Sequence, residues 1–310
     1  MFDRKYLFDL LRNAPFGGRL TTLQVKAVGL ILDLCETLKL PLPFIAYIIA
    51  TAFHETGGTF SPGKENLNYT VAALKSKFSR ERISLKDAER YGRTAGQKAN
   101  QSAIANLIYG GAWGLRQLGN KLVDDGWRFI GRGLVQLTGR RNYAIFGLAD
   151  NPDGAMVLEK AVEILVKGMF DGVFTTRKLA DYYSDGVFDA VKARAIVNGT
   201  DKASLIARHY DAILAALEKA EVRTDNYTDD FKLAAEKETL ADVSEVKTDD
   251  VKAAESGVAK SIYATTGVTA VTGLVAAISS PWGAAVAIVA LAIGGLFLYG
   301  HLSGKLEFKR

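Results

Sequence analysis

The chain has 310 residues, 48% of them hydrophobic and 24% charged, which suits a globular protein of one large domain or two small ones. Its single cysteine, Cys35, excludes an internal disulfide, and a helix-like surrounding pattern favours a packing role over a nucleophile. Residues 1–220 hold 30 basic and 22 acidic side chains, whereas residues 221–260 hold 6 and 11. The net charge of +8 on the first part favours an anionic partner, with generic solubility as the alternative.

The first elements along the chain are helical. The segment MFDRKYLFDLL predicts a short amphipathic helix, and we expect no cleavable signal peptide because no charged start leads into an apolar run. PLPFIAYIIATAF (41–53) is apolar almost all round and too short to cross a bilayer, which predicts a buried helix. The following TGG ends this helix, since glycine adopts the left-handed conformation there. Glu55 is therefore expected on its last turn.

The rest of residues 1–222 predicts a mainly α, α+β domain. Helix-like periodicity runs through about 84–109, 155–170, 187–197 and 203–219. The glycine-bounded GRGLVQLTG (131–139) predicts a short strand or hairpin arm.

The composition changes after residue 222. Residues 223–260 are acidic and poor in large apolar side chains, which predicts a linker that is flexible or partly helical. Residues 261–304 contain no Asp, Glu, Lys or Arg, and they predict one membrane-spanning helix or a helical hairpin. Residues 305–310 form a basic tail beside the stronger apolar stretch.

Two glutamates in FHETGGTFSPGKENLNYT (53–70) have contrasting sequence surroundings. Apolar neighbours and the negative end of the helix dipole both disfavour the charged form of Glu55, which suits a general acid. Glu65 lies in a polar loop beside a lysine and two asparagines, where we expect it to stay ionised, as a general base requires. Two carboxyls kept in opposite protonation states are typical of glycoside hydrolysis.

Four motifs add a family resemblance. HETGG, ENLNY, DGWRFIGRGLVQLTGRRNY and IVNG occur in this order, and together they resemble family 19 glycoside hydrolases, the plant-type chitinases and related phage endolysins. The resemblance spans about residues 40–200, with GRGLVQLTGRRNY as its most specific part. It implies a two-lobed lysozyme-like fold with a central cleft, and hydrolysis of β-1,4 bonds between N-acetylated sugars with inversion.

The resemblance also implies site residues. It makes Glu55 the general acid, Glu65 the general base and Thr138 the hydroxyl that helps to hold the attacking water. The implied substrate-binding residues are Tyr69, Trp127, Arg132, Gln136, Asn142, Tyr143 and Asn198. The two rings of Tyr69 and Trp127 either stack on sugars or pack in the core, and Arg132 either serves the cleft or braces it.

The chain departs from the endolysin pattern at two places. Ile130 stands where arginine is common, so an ionic role is not expected at that position. The segment GGAWGLRQLGNKL (110–122) is longer than the corresponding segment of the relatives, which predicts a different reach along the cleft.

These features predict an endolysin-type peptidoglycan hydrolase, a muramidase encoded by a phage or prophage. The short spacing of the glutamates, the basic domain and the hydrophobic tail favour peptidoglycan over chitin, and a chitinase is the alternative. A second alternative is a holin-like or genome-ejection membrane protein in which wall degradation is secondary.

The expected partners follow from this function. They are peptidoglycan strands or chitin, a lipid membrane through residues 261–304, and holin or virion proteins, whereas no nucleic-acid-binding fingerprint is present. We expect a membrane-associated protein that acts on the periplasmic side of the wall or as a virion component. No cofactor and no metal are expected, because the three histidines lack ligand spacing.

Overall fold

A computed structural model describes residues 1–222 and 246–249. The predicted membrane segment 261–304 and the basic tail 305–310 lie outside these residues, as does most of the predicted linker. Among the described helices, none combines the length and the apolar character that crossing a bilayer requires.

Within the described residues, helices dominate and the strands are very short. The α-helices are α1 (Arg4–Asn13), α2 (Thr22–Thr37), α3 (Leu42–Glu55), α4 (Val71–Lys77), α5 (Leu85–Tyr91), α6 (Gln101–Ile108), α7 (Gly111–Leu118), α8 (Asp125–Arg128), α9 (Arg140–Ile145), α10 (Leu158–Asp171) and α11 (Ala203–Ala220). Three 3₁₀ helices cover Pro152–Met156, Leu179–Tyr182 and Lys192–Ile196. The strands are β1 (Gly63–Lys64), β2 (Arg132–Gly133), β3 (Tyr183–Ser184) and β4 (Val187–Phe188). This composition is consistent with the α+β, mainly helical, lysozyme-like fold predicted from the sequence.

The strands form two antiparallel pairs. β1 pairs with β2, with Gly63 opposite Gly133 and Lys64 opposite Arg132. β3 pairs with β4 across the turn at Asp185 and Gly186, both of which have positive φ angles. The first pair joins the segment after α3 to the predicted hairpin arm, and it therefore brings two of the sequence motifs together.

Two separate hydrophobic clusters build the described core. The large cluster draws on α1, α2, α3, α10 and α11, and α3 packs along α11. The small cluster consists of Leu67, Leu74, Ile83, Ala88, Ile104, Ala105, Ile108 and Ile130, with partly buried aromatic rings around it. Ile130, which replaces the arginine common in endolysins, is fully buried there.

The helix predictions succeed where apolar periodicity is long. α1, α3, α10 and α11 confirm the predictions for the amino-terminal segment and for residues 41–53, 155–170 and 203–219. Cys35 is buried in α2, and burial raises the pKa of its thiol to about 12, which confirms a packing role.

Two helix predictions are wrong. Residues 84–109 form α5 and α6 with a loop between them, because Gly92 follows α5 and the Asn100 side chain caps a new helix by accepting from the N–H of Ala103. Residues 187–197 begin with strand β4 and end in a 3₁₀ helix.

Residues 246–248 contact the folded domain. Val246 is buried in the large cluster, and the carbonyl of Lys247 accepts a hydrogen bond from Arg12. The hydroxyl of Thr248 lies 3.4 Å from that of Thr22. This part of the predicted linker therefore packs on α1 and α2.

Candidate active site

Glu55 is the last residue of α3, as predicted. Residues 44–52 of this helix are buried, because α3 is enclosed by its neighbours in the large cluster. Gly57 and Gly58 follow with φ angles of 59° and 81°, and the backbone turns away there. The buried helix thus ends in one carboxyl, directly before a glycine turn.

The carboxyl of Glu55 faces a guanidinium. Arg194 Nη1 lies 2.6 Å from Glu55 Oε1, and the two side chains are 5% and 17% exposed, respectively. Arg194 is held in turn by the carbonyl of Asp201, 3.1 Å from its Nε. The predicted apolar setting of the Glu55 carboxyl is therefore wrong, because a guanidinium faces it.

Glu65 directly follows strand β1 and is fixed by uncharged donors. Its Oε1 accepts a hydrogen bond from the hydroxyl of Tyr109 at 2.7 Å, and its Oε2 accepts from the N–H of Gly131 at 3.2 Å. Its own N–H donates to the carbonyl of Gly131 at 2.8 Å. The predicted polar setting is present, but a phenol and a backbone amide provide it, instead of the neighbouring lysine and asparagines.

Gly131 lies beside Glu65 and exchanges hydrogen bonds with it. A Cβ atom at this position would be 2.7 Å from Gln136 Oε1 and 3.4 Å from the Cβ of Glu65. A larger residue would therefore displace the end of the Gln136 side chain from its place beside Glu65.

The turn from β2 to α9 presents Gln136 and Thr138. Arg132 and Leu137 exchange backbone hydrogen bonds of 3.2 and 2.8 Å, and Gln136 between them has a φ angle of 55°. Non-glycine residues adopt this left-handed conformation at a cost, which is more often accepted at functional sites. The Gln136 amide lies 3.4 Å from the carbonyls of Gly63 and Gly133.

Thr138 is placed with its oxygen available as an acceptor. Its hydroxyl donates to the carbonyl of Gln136 at 2.8 Å, and a hydroxyl oxygen that has donated its proton retains lone pairs. Asn142 lies one helical turn further on and donates from its amide to the carbonyl of Thr138 at 3.0 Å. Asn142 therefore supports the position of Thr138.

Arg132 and Tyr143 brace the turn from within. Tyr143 is fully buried and Arg132 is 4% exposed, so the predicted cleft-lining position of Tyr143 is wrong. The hydroxyl of Tyr143 donates to the carbonyl of Ile130 at 2.8 Å, and Arg132 lies 3.0 Å from that hydroxyl. Arg132 also pairs with Asp153 at 2.7 Å. These contacts favour the bracing role of Arg132 over a direct role in the cleft.

A lysine ammonium group lies over each of the two rings that were predicted to stack on sugars. The Nζ of Lys64 lies 5.2 Å from the centre of the Trp127 ring, and the Nζ of Lys77 lies 5.3 Å from that of Tyr69. Both rings also pack against the small cluster. Each ring thus combines core packing with a cation on one face.

Asn198 is distant from Glu65 in the sequence and lies next to Arg194. It is exposed, its N–H donates to the carbonyl of Arg194 at 3.1 Å, and its side chain accepts from Gly199 at 2.8 Å. The candidate site therefore has a Glu55 side, with Arg194 and Asn198, and a Glu65 side, with Gln136 and Thr138.

Sequence reasoning missed Arg194 and Tyr109. Their partners are 139 and 44 residues away along the chain, so no local pattern relates them. Arg194 does lie four residues before the asparagine of IVNG, and an arginine that is buried in an otherwise apolar segment requires a partner. That requirement is the signal that could have pointed to Glu55.

The comparison with known proteins supports a glycosyl hydrolase at a coarse level. No protein-family model matches the chain. Over 101 residues, the chain is 39% identical to a protein of Haemophilus influenzae described as a glycosyl hydrolase family 19 domain-containing protein. The aligned part is 33% of this chain and 46% of that relative's length, so the chain spans about half of the relative. At that level, part of this chain is similar to a glycosyl hydrolase family 19 domain.

Proposed function

We propose that this protein is an inverting glycoside hydrolase that cleaves β-1,4 bonds in peptidoglycan, in the manner of an endolysin-type muramidase. The observation that carries the proposal is a pair of carboxyls, one on the last residue of α3 and one directly after β1, that different donors hold in place. Glu55 faces a buried guanidinium, whereas Glu65 accepts hydrogen bonds from a phenol and a backbone amide. The partial similarity to a family 19 domain supports the same chemistry.

In the proposed reaction, Glu55 donates its proton to the glycosidic oxygen as the bond from that oxygen to the anomeric carbon breaks. A water molecule attacks the anomeric carbon from the opposite face and transfers a proton to Glu65. The oxygen of Thr138 accepts the other hydrogen of this water, because the Thr138 hydroxyl already donates to Gln136. After product release, proton exchange with solvent returns both glutamates to their starting states.

The pairing with Arg194 occupies one oxygen of the Glu55 carboxyl, Oε1. In the proposed reaction the other carboxyl oxygen carries the proton and faces the glycosidic oxygen.

Peptidoglycan is the proposed substrate because of charge. The first 220 residues carry a net charge of +8, and the wall polymer carries carboxylates that chitin lacks. Lys64 lies directly beside Glu65 in the chain, and its ammonium group lies over the Trp127 ring. The basic domain and Lys64 should therefore attract an anionic glycan chain.

The test is product analysis on purified peptidoglycan and on chitin oligosaccharides. We expect soluble wall fragments with reducing N-acetylmuramic acid ends, at a higher rate than chitin fragments. Anhydro ends would instead indicate a lytic transglycosylase, and faster release from chitin would indicate a chitinase. Absence of cleavage on both polymers would refute the proposed function.

Membrane attachment and a phage or prophage origin are further parts of the proposal. Membrane attachment rests on the uncharged sequence of residues 261–304, which lies outside the described residues. The phage or prophage origin rests on the endolysin-like motifs and the expected lack of a signal peptide. We expect the full chain to float with liposomes and a chain ending at residue 260 to remain in the aqueous phase. Dye leakage from liposomes treated with a 255–310 peptide would favour the holin-like alternative.

A further inference from the structure

The hydroxyl of Tyr109 is the side-chain donor to Glu65. It lies 2.7 Å from Oε1, while the N–H of Gly131 holds Oε2 at 3.2 Å. Each carboxylate oxygen thus has one fixed donor, and together the two donors determine the plane in which the carboxylate lies. Hydrogen bonds to a charged group are stronger than those between neutral groups, so this contact has the strength needed to orient the side chain.

The backbone around Tyr109 is held at two consecutive carbonyls. Arg82 Nε donates to the carbonyl of Ile108 at 2.7 Å. The amide of Asn120, which is 3% exposed, donates to the carbonyl of Tyr109 itself at 2.9 Å. The end of α6 therefore has little freedom to move the phenol away from Glu65.

Arg82 is in turn enclosed by aromatic rings. Its guanidinium carbon lies 4.0 Å from the ring centre of Trp113, 4.9 Å from that of Phe78 and 5.5 Å from that of Tyr109. Cation–π contacts with several rings fix a planar guanidinium in one orientation. Trp113 and Asn120 both belong to the segment 110–122, which is longer than its counterpart in the endolysins that the motifs resemble.

We propose that Tyr109 is a positioning residue for Glu65, and that Arg82 and Trp113 hold Tyr109 in place. This inference rests on the proposed role of Glu65 as the general base. A base must point a lone pair at the water it deprotonates, and the two fixed donors leave only the remaining lone pairs of Glu65 for that purpose. The long segment 110–122 thereby contributes to catalysis without touching the reacting atoms.

Glu65 acts electrostatically on several groups around it. The charge of Glu65 raises the pKa of Tyr109 after the larger effect of burial, and it raises the pKa of Tyr69 in the same order. Burial lowers the pKa of Arg82 and raises that of Tyr143, and the charge of Glu65 is a smaller upward contribution to both. Among these groups, Tyr109 is the one whose hydroxyl forms a hydrogen bond with the carboxylate.

The kinetic test replaces Tyr109 with phenylalanine, which removes only the hydroxyl. We expect kcat on purified peptidoglycan to fall about tenfold, because a hydrogen bond to a charged group is worth roughly that factor or more. KM should stay within about twofold, since the hydroxyl is occupied by Glu65 and not by substrate. The kcat–pH profile should change as well, because the lost hydroxyl contacts the carboxylate that accepts the proton in the proposed reaction.

Tyr91→Phe is the matched control. Tyr91 is a partly buried tyrosine that packs against the same small cluster. The guanidinium carbon of Arg90 lies 5.2 Å from the centre of its ring. We expect Tyr91→Phe to keep the kcat, KM and pH profile of the parent. Equal kcat and pH profiles for Tyr109→Phe and the parent would overturn the proposal.

The support from Arg82 and Trp113 is tested by Trp113→Leu. This change removes the nearest ring from Arg82 but leaves Tyr109 and Glu65 intact. We expect a fall in kcat that is smaller than that of Tyr109→Phe and an unchanged KM. If Trp113→Leu retains the parent kcat, the role given to Arg82 and Trp113 is refuted.

A spectroscopic test is independent of activity. With ¹³C label at tyrosine Cζ, the Tyr109 resonance should shift in Glu65→Gln, because the charged acceptor of its hydroxyl is replaced by a neutral amide. A Tyr109 resonance that is indifferent to Glu65→Gln would refute the contact even if the parent cleaves no glycan. A parent that cleaves no glycan but shows the shift would refute the proposed function and retain the contact.

Discussion

Arg194 Nη1 donates to Glu55 Oε1 across 2.6 Å, although 139 residues separate the two along the chain. The pair joins the end of α3 to the 3₁₀ helix before α11, and both side chains are largely removed from solvent. Removing one partner of such a pair leaves the other charge buried without a counter-charge, and this destabilises the folded protein.

Arg194→Met should therefore destabilise the protein. We expect a loss of about 1–3 kcal/mol in the free energy of unfolding, measured by urea denaturation, because Glu55 stays partly hydrated. The double variant with Glu55→Gln should recover part of this loss, since no unpaired charge remains. In the control Lys26→Met, which breaks an exposed pair with Glu159, the change should stay below about 1 kcal/mol. An Arg194→Met variant as stable as the parent would contradict the buried pair.

Gln136 should carry backbone strain that glycine relieves. Its φ angle of 55° costs a residue with a Cβ atom more than it costs glycine. We expect Gln136→Gly to be more stable than Gln136→Ala by about 1 kcal/mol in urea denaturation. Both variants lack the amide, so both should lose activity if that amide contacts the sugar.

Gln117 gives the matched control for this comparison. It lies within helix α7, where alanine is favoured over glycine by about 1 kcal/mol. The order of the glycine and alanine variants should thus reverse between the two positions. The same order at both positions would show that residue 136 is not strained.

His209 should make the stability fall in acid. Burial lowers the pKa of this histidine, with smaller contributions from His54 and Arg208, and its ring lies 4.7 Å from that of Phe53. The unfolded chain, with an ordinary pKa of 6.5, therefore binds the proton more readily than the folded one. The stabilising contribution is present above pH 6.5 and is lost as the pH falls below it.

The measurement is the free energy of unfolding on either side of pH 6.5 for the parent and His209→Gln. The glutamine variant should show a shallower decline towards acid, because it removes one group that gains a proton on unfolding. Equal declines in the two proteins would exclude His209 as a source of the acid sensitivity.

Long apolar patterns in the sequence predicted the framework of the fold. α3 and α11 have buried faces over many turns, so periodicity alone identifies them. The apolar spacing of 187–197 predicts a helix and conceals the β3–β4 hairpin, although Asp185 and Gly186 are typical turn residues.

Local motifs predicted part of the candidate site. They placed Glu55 at a helix end, which the structure confirms. They placed Thr138 on a strand or hairpin arm, whereas strand β2 ends at Gly133 and Thr138 follows the turn after it. The partners Arg194 and Tyr109 arise from tertiary packing between distant segments, and a single sequence carries no local record of such pairs.

The central claim is that Glu55 supplies the proton for glycosidic bond cleavage. Glu55→Gln keeps the size and polarity of the side chain but removes its acidity, and Glu159→Gln is the control because Glu159 pairs with Lys26 at the surface. On purified peptidoglycan, we expect Glu55→Gln to release fragments at least about a hundredfold more slowly than the parent, given the usual size of general acid catalysis. Glu159→Gln should act at the parent rate. A Glu55→Gln protein that is folded and clears the wall as fast as the parent would contradict the account.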